Sequence, residues 1–178
     1  MGWSQQADSA GHVYDVCLQD HNYSCFAASC GMVYRLLKGR RPPETLGRWA
    51  VEIATNENRG GGAFAFRDWN QNGTLLSVLQ RALKEMGITS TLHRSTATAG
   101  VLIGMAMPTK PAICQVQLAG GGLHSIVSLG RLGNNLLILD PDVGLQEPPR
   151  NQFPAYHRDF ANGFTDDCTF SAFTVMCG

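Results

Sequence analysis

A cysteine at the start of an apolar helical run, with a glutamine six positions ahead of it, constrains this chain more than any other feature. The stretch is Gln19 to Leu37, QDHNYSCFAASCGMVYRLL. The spacing of Ala27, Ala28, Gly31, Met32, Tyr34, Leu36 and Leu37 predicts a helix from about Cys25 to Lys38 with one packed face. Gly39 is placed to end it, and Pro42-Pro43 blocks continuation. A thiol at a helix N-terminus faces unpaired N–H groups and the positive end of the helix dipole, which favours thiolate. Gln19 is close enough in sequence to fold back beside the sulfur. Its amide can donate to a developing oxyanion together with the Cys25 N–H. A thiolate nucleophile also needs a base, and the base needs a group to orient it.

The sequence downstream supplies both. His124 follows Gly120-Gly121-Gly122 and opens the predicted strand HSIVSLG. The next predicted strand, LLILDPDVG, lies antiparallel to it if Gly133-Asn134-Asn135 makes the turn, and then Asp140 ends beside His124. That carboxylate can fix the imidazole tautomer and support an imidazolium, with Asp142 as the local alternative. Of the other histidines, His12 and His21 lie near the nucleophile in sequence without a partner pattern. His93 and His157 read as surface residues.

Helical patterns come first: Cys25–Lys38, about Pro43–Thr55, and Thr74–Met86 with Thr74 as N-cap and Gly87 just past the end. Between the last two lies a glycine-rich loop, 58–73, carrying Phe64, Phe66 and Trp69 as either groove wall or core anchors. It is not a phosphate loop, because no Gly-Lys-Ser/Thr follows Gly60-Gly61-Gly62. Strands then dominate: Ile88–His93, Pro111–Leu118, His124–Gly130, Leu136–Asp140 and Thr169–Met176. The segment 97–107 is ambiguous between short helix and loop, 141–156 reads as loop, and residues 1–16 as a loose lead-in. Helices followed by strands predict an α+β fold. With no repeat or linker, 1–178 is expected to be a single domain, a helical lobe packed on an antiparallel sheet lobe with the site in the cleft between.

Composition closes off other classes. Lys+Arg and Asp+Glu are both 14 and no basic run exists, which argues against a nucleic-acid binder. The longest apolar run, Val101 to Met107, is too short to span a bilayer and ends at Pro108, so no membrane role is expected. The first residues lack the basic and apolar regions of a signal peptide. None of the six cysteines forms a C-x-x-C pair, so a zinc ribbon is not expected, and reduced thiols are the default. Cys30 and Cys114 read as core residues; Cys168 and Cys177 are either core or a late disulfide.

Taken together, Gln19, Ser24-Cys25-Phe26-Ala27-Ala28-Ser29, His124-Ser125-Ile126-Val127 and Leu139-Asp140-Pro141 resemble the papain-like cysteine peptidases in residue type and in order. The resemblance runs in patches over residues 19–144. Among small bacterial members, the chain resembles the peptidase domains that cut bacteriocin leaders, where Asn72-Gly73-Thr74-Leu75-Leu76 echoes a helix start. It also resembles secreted papain-like effector or toxin proteases. It departs from the former in having Ser24-Cys25-Phe26 where Asp-Cys-Gly is usual, and from papain in lacking the Asn-Ser-Trp signature. The resemblance implies Cys25 as nucleophile, His124 as acid/base, Asp140 as orienter and Gln19 as oxyanion donor. It implies a cysteine endopeptidase acting on protein or peptide, without metal or organic cofactor; a monomer is the default expectation for a domain of this size. An effector role further implies an inhibitory or immunity partner and a cytoplasmic location or delivery into a target cell by a secretion machine. The same triad can instead run glutamine deamidation or transglutamination, and an inactive frame can serve as a binding module.

Overall fold

The computed structural model of the chain describes residues 2–19, 25–43, 75–94, 96–150, 155–159 and 165–178. The helix expected at 43–55 and the glycine-rich loop at 58–73 lie outside these, except for Pro43, as do His21 and Thr74. The described elements are β1 (Gly2–Ala7), β2 (Val13–Leu18), α1 (Cys25–Lys38), α2 (Leu75–Glu85), β3 (Ser90–Arg94), α3 (Thr96–Met105), β4 (Ala112–Leu118), β5 (Leu123–Leu132), β6 (Asn135–Asp140), β7 (Gly144–Gln146), β8 (Ala155–Asp159) and β9 (Thr165–Cys177).

The architecture is α+β. One antiparallel sheet runs β3-β9-β4-β5-β6-β7, and the long β9 also pairs with β8. Both faces of its central strands are covered, which is why those strands read as near-continuous apolar runs. Alternate residues serve different cores. Ile113, Val127, Leu137, Leu139 and Val175 pack with α1 and α2. Ala112, Cys114, Ile126, Ile138, Tyr156 and Met176 join Ile103 of α3 on the other face.

Helix α1 spans the predicted residues, and Cys25 through Tyr34 are all buried. A helix buried on every side must find partners for its polar groups. Ser29 does so by donating to the Ser125 carbonyl on β5, 3.1 Å away. Gly39, with φ +70°, closes the C-terminus through a bond from its N–H to the Arg35 carbonyl. Near this end Arg35 and Arg41 both pair with Asp15 of β2, at 2.6 and 2.8 Å. The ambiguous segment 97–107 is largely the helix α3. Its apolar Val101 and Met105, and Met107 just beyond it, remain exposed. No described helix is long and apolar enough to cross a membrane.

Two expectations are corrected. Residues 1–16 are not a loose lead-in: β1 and β2 form a hairpin in register from Gly2 opposite Leu18 to Ala7 opposite Val13. Val16 and Cys17 of β2 join the core, but polar groups hold the turn and the outer side, so no clean apolar alternation announces it. Asp8 accepts from the N–H groups of Ala10 and His12, both at 2.9 Å, and closes the turn. Outside the turn, Gln6 Oε1 accepts from the Leu145 N–H at 2.6 Å, and Ser9 donates N–H and Oγ to the two Glu147 oxygens. Nor is 141–156 loop throughout. It contains β7, paired with the end of β6, and the start of β8.

Candidate active site

Chain geometry brings three of the four predicted residues together. Cys25 is the first residue of α1. His124 stands on β5, and Asp140 ends β6. The two strands are antiparallel neighbours, with Val127 opposite Leu139. This is the pairing that the Gly133-Asn134-Asn135 turn predicted. His124 Nε2 lies 2.8 Å from Asp140 Oδ1. Asp140 leaves the other ring nitrogen, Nδ1, open to the Cys25 side chain, and Cys25 and His124 act on each other's ionisation. Cys25 also receives the backbone N–H of Ser125. All three residues are buried: Cys25 is 7% exposed, His124 4% and Asp140 0%.

The electrostatics follow from these contacts. Burial pushes the Cys25 thiol up, but the hydrogen bond and positive charge of His124 and the Ser125 N–H outweigh it, so the thiol lies below its ordinary value. His124 moves the opposite way. Burial opposes its charged form, yet Asp140 and Cys25 together push it up to about 10. Asp140 is held below the usual carboxylate range despite its burial, by His124, by the charge of Arg158 and by the Asp142 N–H. The set therefore favours a thiolate–imidazolium pair braced by a carboxylate. Three other cysteines respond to burial in the ordinary way. Cys30 and Cys114 are pushed well up, and Cys177 to about 12. Cys168 and Cys177 are both buried and are not joined in a disulfide.

Gln19 approaches from the other side. Its N–H donates to the Pro141 carbonyl at 2.7 Å, which ties the end of the hairpin to the residue after Asp140. Its Oε1 is buried with no hydrogen-bond partner among the described residues. The backbone of Gln19 is thus held beside Pro141, the neighbour of Asp140. Asp142, the alternative orienter, meets Asp140 through its N–H at 2.8 Å, while its carboxylate turns to Arg158. Among the described residues no group of three His, Cys, Asp or Glu is placed to hold a metal ion.

Sequence reasoning missed two members of the cluster. Tyr156 Oη and Arg158 Nε both donate to Asp140 Oδ2, each at 2.9 Å, and Arg158 Nη2 donates to Asp142 Oδ2. Tyr156 and Arg158 are two apart on β8 and so share a face. That i, i+2 relation in AYHRD was the available signal. The segment reads as a continuation of a proline-rich loop, and an arginine destined for burial looks like any other arginine.

No protein-family model and no curated protein matches the sequence. Solved structures do match, and they define a class: the fold is that of the papain-like cysteine peptidases. One match is a double glycine motif protease from an AMS/PCAT transporter, solved in complex with its leader peptide. It is 18% identical over 91% of this chain and 89% of that one, with a TM-score of 0.54. Another is the peptidase domain of Streptococcus ComA, a bi-functional ABC transporter involved in a quorum-sensing pathway. It is 16% identical over 93% of this chain and 98% of that one, with a TM-score of 0.57. At such identity the likeness is one of fold.

Proposed function

We propose that the chain is a cysteine endopeptidase that cleaves protein or peptide substrates through Cys25, His124 and Asp140. The observation that carries this reading is one contiguous arrangement: a buried helix-initial sulfur whose ionisation is coupled to an imidazole, one nitrogen of which lies 2.8 Å from a buried carboxylate. Nucleophilic acyl transfer needs these groups in this order. The fold likeness to two leader-cutting or transporter-borne peptidase domains is consistent with it. By analogy with the leader-bound one, a peptide laid extended in the cleft is the proposed substrate class.

In the proposed mechanism the Cys25 thiolate attacks the scissile carbonyl and a C–S bond forms. The oxyanion is met by the Cys25 N–H, at the first turn of α1 where the helix itself supplies no acceptor, and by the Gln19 amide. His124 transfers its proton to the departing amine as the C–N bond breaks, which leaves a thioester and a neutral imidazole. Water then gives its proton to His124, attacks the thioester and releases the acid. The proton returned to the ring restores the thiolate–imidazolium pair. Throughout, Asp140 keeps the ring in the tautomer that faces sulfur.

The test combines labelling and product analysis. Iodoacetamide near neutral pH should modify Cys25 in preference to Cys30, Cys114 and Cys177, and His124→Ala should slow that reaction. Incubated with a peptide mixture, the wild-type chain should create new termini that Cys25→Ser does not. No new termini, together with a Cys25 no more reactive than the other thiols, overturns the proposal. A gain of about one dalton on glutamine without cleavage replaces it with the deamidase reading. The effector role, and with it an inhibitory partner, rests on the family resemblance. Its test is toxicity on expression in a target cell that depends on Cys25.

A further inference from the structure

Asp140 has more partners than the orientation of one imidazole requires. Its Oδ1 faces His124 Nε2 and the Asp142 N–H, and its Oδ2 accepts from both Tyr156 and Arg158. Arg158 is 2% exposed and is among the largest fully buried side chains described. Its guanidinium forks between Asp140 and Asp142. Burying an arginine and a carboxylate is costly unless each compensates the other, so the pair calls for an account beyond its packing.

The proton transfers of the proposed reaction provide one, so the role of Arg158 rests on the peptidase reading of the site. When His124 has given its proton to the leaving amine, the ring is neutral. Were the imidazolium its only cation, Asp140 would then be a buried anion facing an uncharged group. The proton would be held back by the very carboxylate that orients the ring. Arginine does not deprotonate in proteins. We propose that Arg158 is a positioning residue of this site, a standing counter-ion that offsets the Asp140 charge and holds the carboxylate in place while His124 cycles between imidazolium and imidazole. Tyr156, on the same face of β8, shares the task by donating to the same oxygen.

The charged and titratable groups around Asp140 and His124 set the direction of the effect. Cys25 comes from α1, His124 from β5 and Asp142 from the turn after β6. Tyr156 and Arg158 come from β8, with Cys168 of β9 acting on Tyr156. Among these groups Arg158 is the positive one that does not titrate. Its charge favours the Cys25 thiolate and disfavours the His124 imidazolium. Removing it should move both ionisations toward higher pH. Simple loosening of the cluster gives a different result: Asp140 would protonate, and His124 would lose its support at lower pH.

The experiment is the pH profile of Cys25 alkylation by iodoacetate on the full chain. This anionic probe reacts faster as the thiolate–imidazolium pair forms and more slowly as the imidazolium deprotonates, so the profile is bell-shaped. Arg158→Met should shift both limbs upward by about one pH unit, a modest value for loss of a charge near a buried pair. Arg158→Gln keeps an amide near Asp140 without the charge. It should do the same, and it decides the matter if the Met variant does not fold. Arg158→Lys should return both limbs to their wild-type positions. Folded Met or Gln variants with unmoved or lowered limbs, or a Lys variant still displaced, overturn this role and leave the peptidase reading intact. A wild-type Cys25 no more reactive than the other thiols overturns both.

Discussion

Asp140→Asn is the substitution that puts most of this structure at risk for the smallest change in shape. The side chain keeps its size but loses the charge that His124, Tyr156 and Arg158 converge on, each within 2.9 Å. Asp140 and Arg158 are 0% and 2% exposed, so the broken pair is a buried one. Removing one partner of a buried pair costs about 3–5 kcal/mol. Asp142 remains as a partner for Arg158, so the lower end applies. About 3 kcal/mol in a chain of this size lowers Tm by about 6–12 °C. The catalytic loss is separate. A serine-nucleophile triad loses about 10⁴ in kcat on this change; here the resting imidazolium carries both ring protons and the Asn oxygen can still accept from Nε2, so a smaller loss, of more than about tenfold, is expected. The pH dependence gives a third readout. Asp140 titrates below its ordinary 3.8, held there by His124, Arg158 and the Asp142 N–H against the upward push of burial. Its contribution to stability is therefore complete above that ordinary value and is lost as pH falls through the lower, folded one. Wild-type Tm should drop steeply below about pH 4, and the Asn variant should show a flatter acid limb. The assays are thermal unfolding from about pH 2 to 8 and kcat/KM on a substrate found by product analysis. A variant within about 2 °C of wild type, with kcat/KM within about fivefold, would refute the reasoning.

Two further predictions probe the frame around the site. Gly130 of β5 has φ +90°, and a Cβ there would stand 1.8 Å from the Ala106 carbonyl oxygen. Gly130→Ala should cost more than about 3 kcal/mol, because a backbone atom is the obstacle and cannot rotate away; a denaturant midpoint close to wild type would contradict this. Gln19→Ala should lower kcat by a factor on the order of 10²–10³ with little change in Tm, as expected for loss of one oxyanion donor. A change in Tm with kcat preserved would instead make the Gln19 side chain, whose Oε1 is buried, a structural one.

Legibility in the sequence tracked the kind of force involved. Helix α1 was readable because apolar periodicity and a glycine stop are local signals, and both survive burial. The antiparallel pairing that sets His124 beside Asp140 was readable because a short glycine-asparagine turn leaves two adjacent apolar runs little choice of partner. The N-terminal hairpin was not readable. Its first strand is largely polar, its second is apolar without a clean alternation, and Gln6 and Ser9 find their partners at Leu145 and Glu147, 139 and 138 positions away. Tyr156 and Arg158 were hidden for the same reason. Nothing local marks an arginine whose counter-charge lies on another strand.

From residue types and spacing alone came the α+β order, the helix-initial cysteine and the identity of its two partners. Long-range folding settled which thiol is held below its ordinary value and what surrounds the carboxylate. All six cysteines are buried. Burial raises a thiol unless a cation and an N–H face it, and Cys25 meets both in His124 and Ser125. A local pattern can propose which groups react, but their charge states depend on neighbours that the chain brings together only by packing.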